Sequence, residues 1–249
     1  MLVAGLIFPV DEYDWVSPIV IQSKKDMKYI RVCVDFRSLN VACIHDPFPT
    51  PFSDEVLDQV ARKEAYSFTI GFSVYHKVRI VEEDKRKTTF TTKWGSFAYN
   101  VMPFGLNNAP FLFYRIMISI FRDFIHKFLE VYMDYYTMYG LLKAHLGLLR
   151  LMFDRCGQIQ ISLNLKKCIF YVPFGSLLGH VVCKEGVMVD PAKITVIVNL
   201  PSLMNVRQLR STLGNMGYYR RFIRDYTTIT APLEQLLKKM EWKRKVYQH

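Results

Sequence analysis

The chain has 249 residues, 51% of them apolar, and its 33 Lys and Arg against 22 Asp and Glu give a formal net charge of +11. That length allows one large folded unit or two small ones, and the surplus favours polyanionic partners while saying nothing about fold. Cys33, Cys43, Cys156, Cys168 and Cys183 form no C-x-x-C and no zinc-like Cys/His spacing, which argues against a disulfide framework and for a reducing, intracellular compartment, cytoplasmic or nuclear. The apolar opening MLVAGLIFPV has no basic n-region and no small-residue cleavage site, so no signal peptide is expected. No apolar run approaches the roughly 18 residues of a membrane span, and no membrane partner is expected.

In chain order, residues 17–36 predict two strands joined by a polar turn at Lys24–Lys28, the second alternating as YIRVCVDF. HDPFPTPF at 45–52 spaces its prolines by two and predicts an extended crossing. Ser53 is then expected to cap a short helix with Asp54 and Glu55 in its first turn. Strands are expected at YSFTIGF and YHKVRIV, and two more on either side of Gly95. Asn107 or Asn108, with Pro110 behind it, starts a helix whose apolar face runs from Phe113 to Phe128. VYMDYYTMY at 131–139 predicts a hairpin with Asp134 and Tyr135 at its tip. A second helix is expected over about 141–156, ended by Gly157, then strands at 159–163, 168–172, 177–183 and 187–189. Beyond Pro201 the pattern is helical, and from Asn205 onward ten Lys or Arg stand against three acids. The order predicts an α+β fold with a boundary near residue 200, giving a mixed body over 1–200 and a basic helical end over 201–249. A doubly wound α/β fold is the alternative, against which stand the short hairpins and the absence of G-x-G-x-x-G or a P-loop.

VDFRSLN (34–40), DPFPTPF (46–52), KTTFTT (87–92), VMPFGLNNAP (101–110), YMDY (132–135), LNLKKC (163–168), LGHVV (178–182) and LRSTLGNMGYYRRFI (209–223) follow one another at ordinary spacings. Together they resemble the reverse transcriptase of plant gypsy-type LTR retrotransposons, from about Ala4 to Lys239. The resemblance implies a right-hand polymerase fold of fingers and palm over 1–200 and a helical thumb over 201–249. It also implies RNA-directed DNA synthesis from deoxynucleoside triphosphates on a primer–template duplex, with two Mg²⁺ ions. The family has residues ahead of the AGLIFPV segment and an RNase H domain after the thumb. By that resemblance Met1 reads as an internal start and the chain as a polyprotein fragment.

Two Mg²⁺ ions about 4 Å apart require bridging carboxylates. The family supplies one Asp from a palm strand and two from a hairpin tip. Here the strand reads Phe68-Thr69-Ile70-Gly71-Phe72-Ser73-Val74-Tyr75, so Ile70 stands at the strand acid, and Tyr135 stands at the second tip acid. Asp134 alone remains as catalytic residue and metal ligand. Ile70 offers no donor atom, and the Tyr135 phenol, with a reference pKa of about 10, is a poor Mg²⁺ ligand. Activity is therefore expected to be lost or very low, and the alternative is a nucleic-acid-binding module that keeps primer–template affinity without catalysis. By the same resemblance Lys24, Lys25, Arg31, Tyr75, Phe104, Gly105, Lys166 and Lys167 would meet the nucleotide, with Tyr75 screening the ribose. Val74, where the family has Gly, would crowd that pocket. Leu178, Gly179 and His180 would grip the primer end, and Arg220, Arg221 and Arg224 would face nucleic-acid backbone. The plainer readings are a turn aspartate at 134, a solvated turn at Lys24 and Lys25, a solvated helix face for the arginines, and structural roles for His76, His145 and His180.

Overall fold

A computed structural model describes residues 1–13, 15–23, 30–72, 74–200 and 204–246. In chain order the elements are β1 (Ile7–Pro9), β2 (Ile19–Ser23), β3 (Ile30–Val34), α1 (Arg37–Ala42), α2 (Ser53–Val60) and β4 (Ala65–Ile70). Then come α3 (Glu82–Lys85), β5 (Phe90–Thr92), β6 (Gly95–Tyr99), α4 (Ala109–Ile120), β7 (Leu129–Tyr132), β8 (Tyr135–Gly140) and α5 (His145–Gln158). The last part holds β9 (Ile169–Val172), β10 (Gly175–Leu177), β11 (His180–Cys183), β12 (Gly186–Val189), α6 (Pro191–Val198), α7 (Val206–Tyr218) and α8 (Tyr226–Val246).

The strands form four sheets, ordered β1-β6-β5, β2-β3, β7-β8-β4-β9 and β10-β11-β12, and every pairing within them is antiparallel. The architecture is α+β, and the doubly wound alternative, which needs a parallel sheet, is excluded. The four-stranded sheet is central. Tyr66, Ser67, Thr69, Val131, Tyr136 and Met138 are all buried in it, and α4 and α5 cover one face through Phe113, Met117, Leu149 and Met152. On its other side Tyr66 and Tyr139 pack with Val56, Leu57 and Val60 of α2 and with Leu177 and Val182. Both faces of this sheet are therefore covered.

Several local expectations are corrected. Residues 75–81 are not a strand: Val74–Lys77 winds as a 3₁₀ turn, and only Arg79 bridges Val101, with the Ile80 amide donating to the Asn100 carbonyl and the Met102 amide to the Val78 carbonyl. The helix that starts after Asn108 stops at Ile120, not Phe128. Its apolar period continues because the turns over 121–128 bury Phe121 and Phe128 in the same core. Arg155 donates to the Ile120 carbonyl and His126 sits at φ +62°, so the chain can turn there. Ser53 is the first helical residue of α2 and caps nothing. Gly157 lies inside α5, and the reversal falls on Gln160 at φ +55°. Residues 159–163 supply one bridge, Leu163 to Gly71, in place of a strand. The helical end is broken at Arg220–Phe222 by a 3₁₀ turn and at Asp225 by φ +53°. α6 was not anticipated; Asp190 caps it and Pro191 opens it.

Candidate functional site

β7 and β8 are joined by Met133 and Asp134 alone, with Tyr132 paired to Tyr135. Met133 takes φ +55°, a conformation uncommon for a side chain of its kind and worth notice where it persists. β4 pairs with β8 along its length, ending with Ile70 opposite Tyr135, and the Gly71 amide donates to the Asp134 carbonyl at 2.9 Å. The register thus brings Ile70, Asp134 and Tyr135 to one corner of the sheet. Burial pushes the Asp134 carboxyl above the usual aspartate range, opposed by its own backbone amide and by the Lys167 ammonium. Tyr135 is exposed.

Beside that corner lies a cavity of about 650 Å³, lined among others by His45, Tyr75, Phe104, Gly105 and Met133. Tyr75 meets Phe104 edge-on at 5.0 Å between ring centres and Phe113 at 5.4 Å. Burial first, then the Asp134 charge, raises the Tyr75 phenol, which places that hydroxyl within electrostatic reach of the hairpin tip. Gly105 takes φ +100°, and its carbonyl accepts 2.8 Å from the Asn40 amide, whose oxygen accepts from the Asn107 amide at 2.8 Å. Asn40 therefore holds the cavity wall from α1. It stands in the VDFRSLN motif but no spacing marked it; only the folded chain brings it to residues 105–107. Ser73, Lys24 and Lys25 lie outside the described residues, as do the side chains of Val74 and Arg31; the backbone of Arg31 pairs with Gln22 in the β2-β3 sheet.

Lys166 and Lys167 sit on an exposed 3₁₀ turn over Leu165–Lys167. Its anchor is the Asn164 amide, which donates to the Ile70 carbonyl at 2.8 Å. The turn reaches the Asp134 corner through Lys167, whose charge acts on that carboxyl.

Leu178 and Gly179 form the two-residue loop between β10 and β11, at φ +47° and +69°, a geometry that favours Gly at the second position. The Tyr218 hydroxyl donates to the Leu178 carbonyl and the Tyr219 hydroxyl to the Gly179 carbonyl at 2.7 Å. His180 is 2% exposed, faces Tyr218, Tyr219 and Phe222, and shares a hydrogen bond with the Leu178 carbonyl through Nδ1 at 3.0 Å. The loop is thus half-buried at Leu178 and Gly179, while His180 is turned inward. Arg220 lies 3.7 Å from Asp54, and Arg221 lies 2.5 Å from Asp58 and 3.9 Å from Asp54, which ties the arginine turn to α2. Arg224, 97% exposed at its side chain, meets Asp225 at 3.6 Å. Sequence reasoning placed the arginines but missed these acidic partners, which are distant in the chain.

The residues present do not fit a two-ion Mg²⁺ site. Ile70 has no ligand atom, the Tyr135 phenol is a poor donor to a hard cation, and burial disfavours the charge on Asp134. Among the described residues no three His, Cys, Asp or Glu side chains gather as a metal site. Glu64, at the far end of β4, accepts from the Leu142 amide and pairs with Lys184, and Glu82 pairs with Lys85.

A covered antiparallel sheet with an acidic hairpin tip, an aromatic cavity beside it and a basic helical end is the arrangement of the right-hand polymerase fold. The foamy viral protease–reverse transcriptase dRH in complex with double-stranded DNA superposes with a TM-score of 0.87 at 21% identity, over 96% of this chain and 42% of that one. The same viral enzyme in complex with RNA/DNA hybrid gives 0.81 at 21% identity, over 96% and 32%. Residues 22–197 match the reverse transcriptase (RNA-dependent DNA polymerase) family, and the chain belongs to that family. It is 35% identical over 244 residues to the retrovirus-related Pol polyprotein from transposon 297 of Drosophila melanogaster, covering 96% of this chain and 23% of that protein. The Pol polyprotein from transposon gypsy of the same fly is 30% identical over 209 residues, covering 84% and 20%. The chain is a reverse transcriptase-type domain of the kind found in LTR retrotransposon polyproteins, and it spans about a quarter of the length of these curated relatives.

Proposed function

We propose that this domain has lost templated DNA synthesis and keeps the capacity to hold a primer–template duplex. The observation that carries the reading is the register of β4 on β8, which sets Ile70 opposite Tyr135 and leaves Asp134 as the one carboxylate at that corner. A metal-ion catalyst needs its charge compensated, and one partly buried carboxyl does not compensate two dications. The neighbouring surfaces favour retained binding. The Tyr75–Phe104 cavity is open and of a size for a nucleotide, the Lys167 charge acts on the neighbouring Asp134, and the chain carries +11. The solved relatives hold double-stranded DNA or RNA/DNA hybrid, which makes such duplexes the partner to test. In this reading Lys24, Lys25, Arg31 and Gly105 serve the nucleotide side. Leu178 and Gly179 meet the primer end, with His180 supporting the loop from beneath, and Arg224 meets backbone phosphate. Arg220 and Arg221 must exchange Asp54 and Asp58 for phosphate to join it.

The deciding experiment is primer extension on an RNA template with Mg²⁺, run with this chain and with Ile70→Asp/Tyr135→Asp. Extension only by the double variant is expected. Extension by the parent chain overturns the reading. In parallel, duplex affinity should fall steeply with salt as released counterions dictate, and a salt-independent affinity would contradict phosphate binding.

A further inference from the structure

A second cavity, about 770 Å³, opens on the opposite side of the Leu106–Ala109 segment and is walled largely by carbon. Its volume lies within the about 300–1,000 Å³ typical of small-molecule sites. One charged side chain at this cavity lacks a partner among the described residues. Trp15 lines the cavity, while the Trp15 Nε1 is buried out of reach of the space. Arg79 lines it as well and is exposed; its guanidinium has no ion pair or hydrogen bond among the described residues. The other lining cation, Lys87, is already held by Asp84 at 2.6 Å. We infer that this cavity is a binding site for a small apolar anion: a flat hydrocarbon body in the cavity and a carboxylate-type group on Arg79.

The site is distinct from the nucleotide cavity but shares a wall with it. Leu106, Asn107 and Ala109 line both. Asn40 lines the second cavity and holds the Gly105 carbonyl and the Asn107 amide, so an occupant presses on the segment that shapes the first. Occupancy therefore stiffens the nucleotide wall, a coupling that rests on packing across one shared layer. Charge complementarity selects an anion over a neutral ligand of equal size, because among the described residues Arg79 has no counter-ion, while the lining Asp84 is neutralised by Lys87.

Cys43 also lines the cavity and provides a readout that needs no catalysis. Cys33, exposed on β3 and not part of the lining, is the internal control. The whole chain is alkylated with iodoacetamide, with 2-naphthoate or neutral 2-naphthylmethanol as probe, and the rate at each cysteine is followed by mass spectrometry. Naphthoate is expected to slow Cys43 alone. Arg79→Gln should weaken that protection about tenfold, the worth of one charge-assisted hydrogen bond, and leave the weaker effect of the alcohol unchanged. Equal labelling of Cys43 with and without naphthoate overturns the site. Slowing of Cys33 to the same degree overturns it too, since that marks non-specific association. Protection that survives Arg79→Gln undiminished overturns the anion assignment.

Discussion

Two hairpins with two-residue loops are built against the same strand, and their tips are held by different kinds of bond. The β7–β8 hairpin pairs with β4 through an unbroken ladder that ends at Ile70 and Tyr135. The β10–β11 hairpin meets β4 through Gly175, which lies so close to the Phe68 ring that a Cβ there would overlap it. At the first tip the bonds that set the geometry are main-chain bonds, such as Gly71 to the Asp134 carbonyl. Side chains at positions 70 and 135 can therefore change while the corner keeps its shape. At the second tip the turn carbonyls are held by side chains from elsewhere, the hydroxyls of Tyr218 and Tyr219. Replacing a side chain there loosens the attachment of the C-terminal end of α7. The shape of the first corner is thus independent of the side chains at 70 and 135, and shape there is no measure of activity.

The largest effect that sharpens this contrast is at the first tip. Ile70→Asp/Tyr135→Asp should raise primer extension by about 10³-fold or more, because groups that act as one catalytic unit are lost and regained together. A revertant as inert as the parent would mean that the corner has lost more than its acids. Next in size is Gly175→Ala at the second hairpin. Overlap with Phe68, stacked on Tyr66 at 6.0 Å between centres, should cost about 1–3 kcal/mol in a denaturant titration. An unchanged midpoint would show that the hairpin does not bear on β4. Tyr219→Phe removes the 2.7 Å bond to Gly179 and leaves a carbonyl unmet where Tyr219 itself is 4% exposed, for about 1 kcal/mol. Burial keeps that phenol protonated and so a donor, which predicts no loss of the contact at mildly alkaline pH. A tyrosine-to-phenylalanine change without cost would remove the clasp from the account.

Much of this was legible in the residues, and the limits follow from physics. The hairpin tip, the strand at 65–70 and the start of the helix at 109 each rest on local chemistry: turn residues, alternation, and Asn and Pro at a helix start. The false extension of α4 to Phe128 shows where periodicity fails, since a buried turn carries the same apolar residues as a buried helix. The strand expected at 75–81 failed for a related reason. Apolar alternation there reflects burial of Tyr75 and Val78 against the core around α4, and the backbone pairs at Arg79 alone. Within the candidate site, Tyr75, Phe104 and Gly105, which the resemblance alone grouped, line one cavity. Asn40, Tyr218, Asp54 and Asp58 were not legible as partners, because each acts across tens of residues through a contact that exists only in the folded chain.

The smallest expected effect tests the electrostatics of the first tip directly. Burial raises the Asp134 carboxyl in the folded state, so the folded protein binds that proton more tightly than the unfolded chain does. The stability this contributes is fully present below the unfolded pKa and is lost as pH rises through the folded one. At neutral pH the ionised group is a net burden, with Lys167 offsetting only part of it. Asp134→Asn keeps the shape and removes the charge. Its melting temperature should exceed the parent's at neutral pH, and the gap should close on acidification through the carboxylate range. A gap that stays constant with pH would mean that Asp134 is solvated like an ordinary turn aspartate. The corner would then keep a charged oxygen ready for a cation, and the contrast between the two hairpins would narrow to Ile70 and Tyr135 alone.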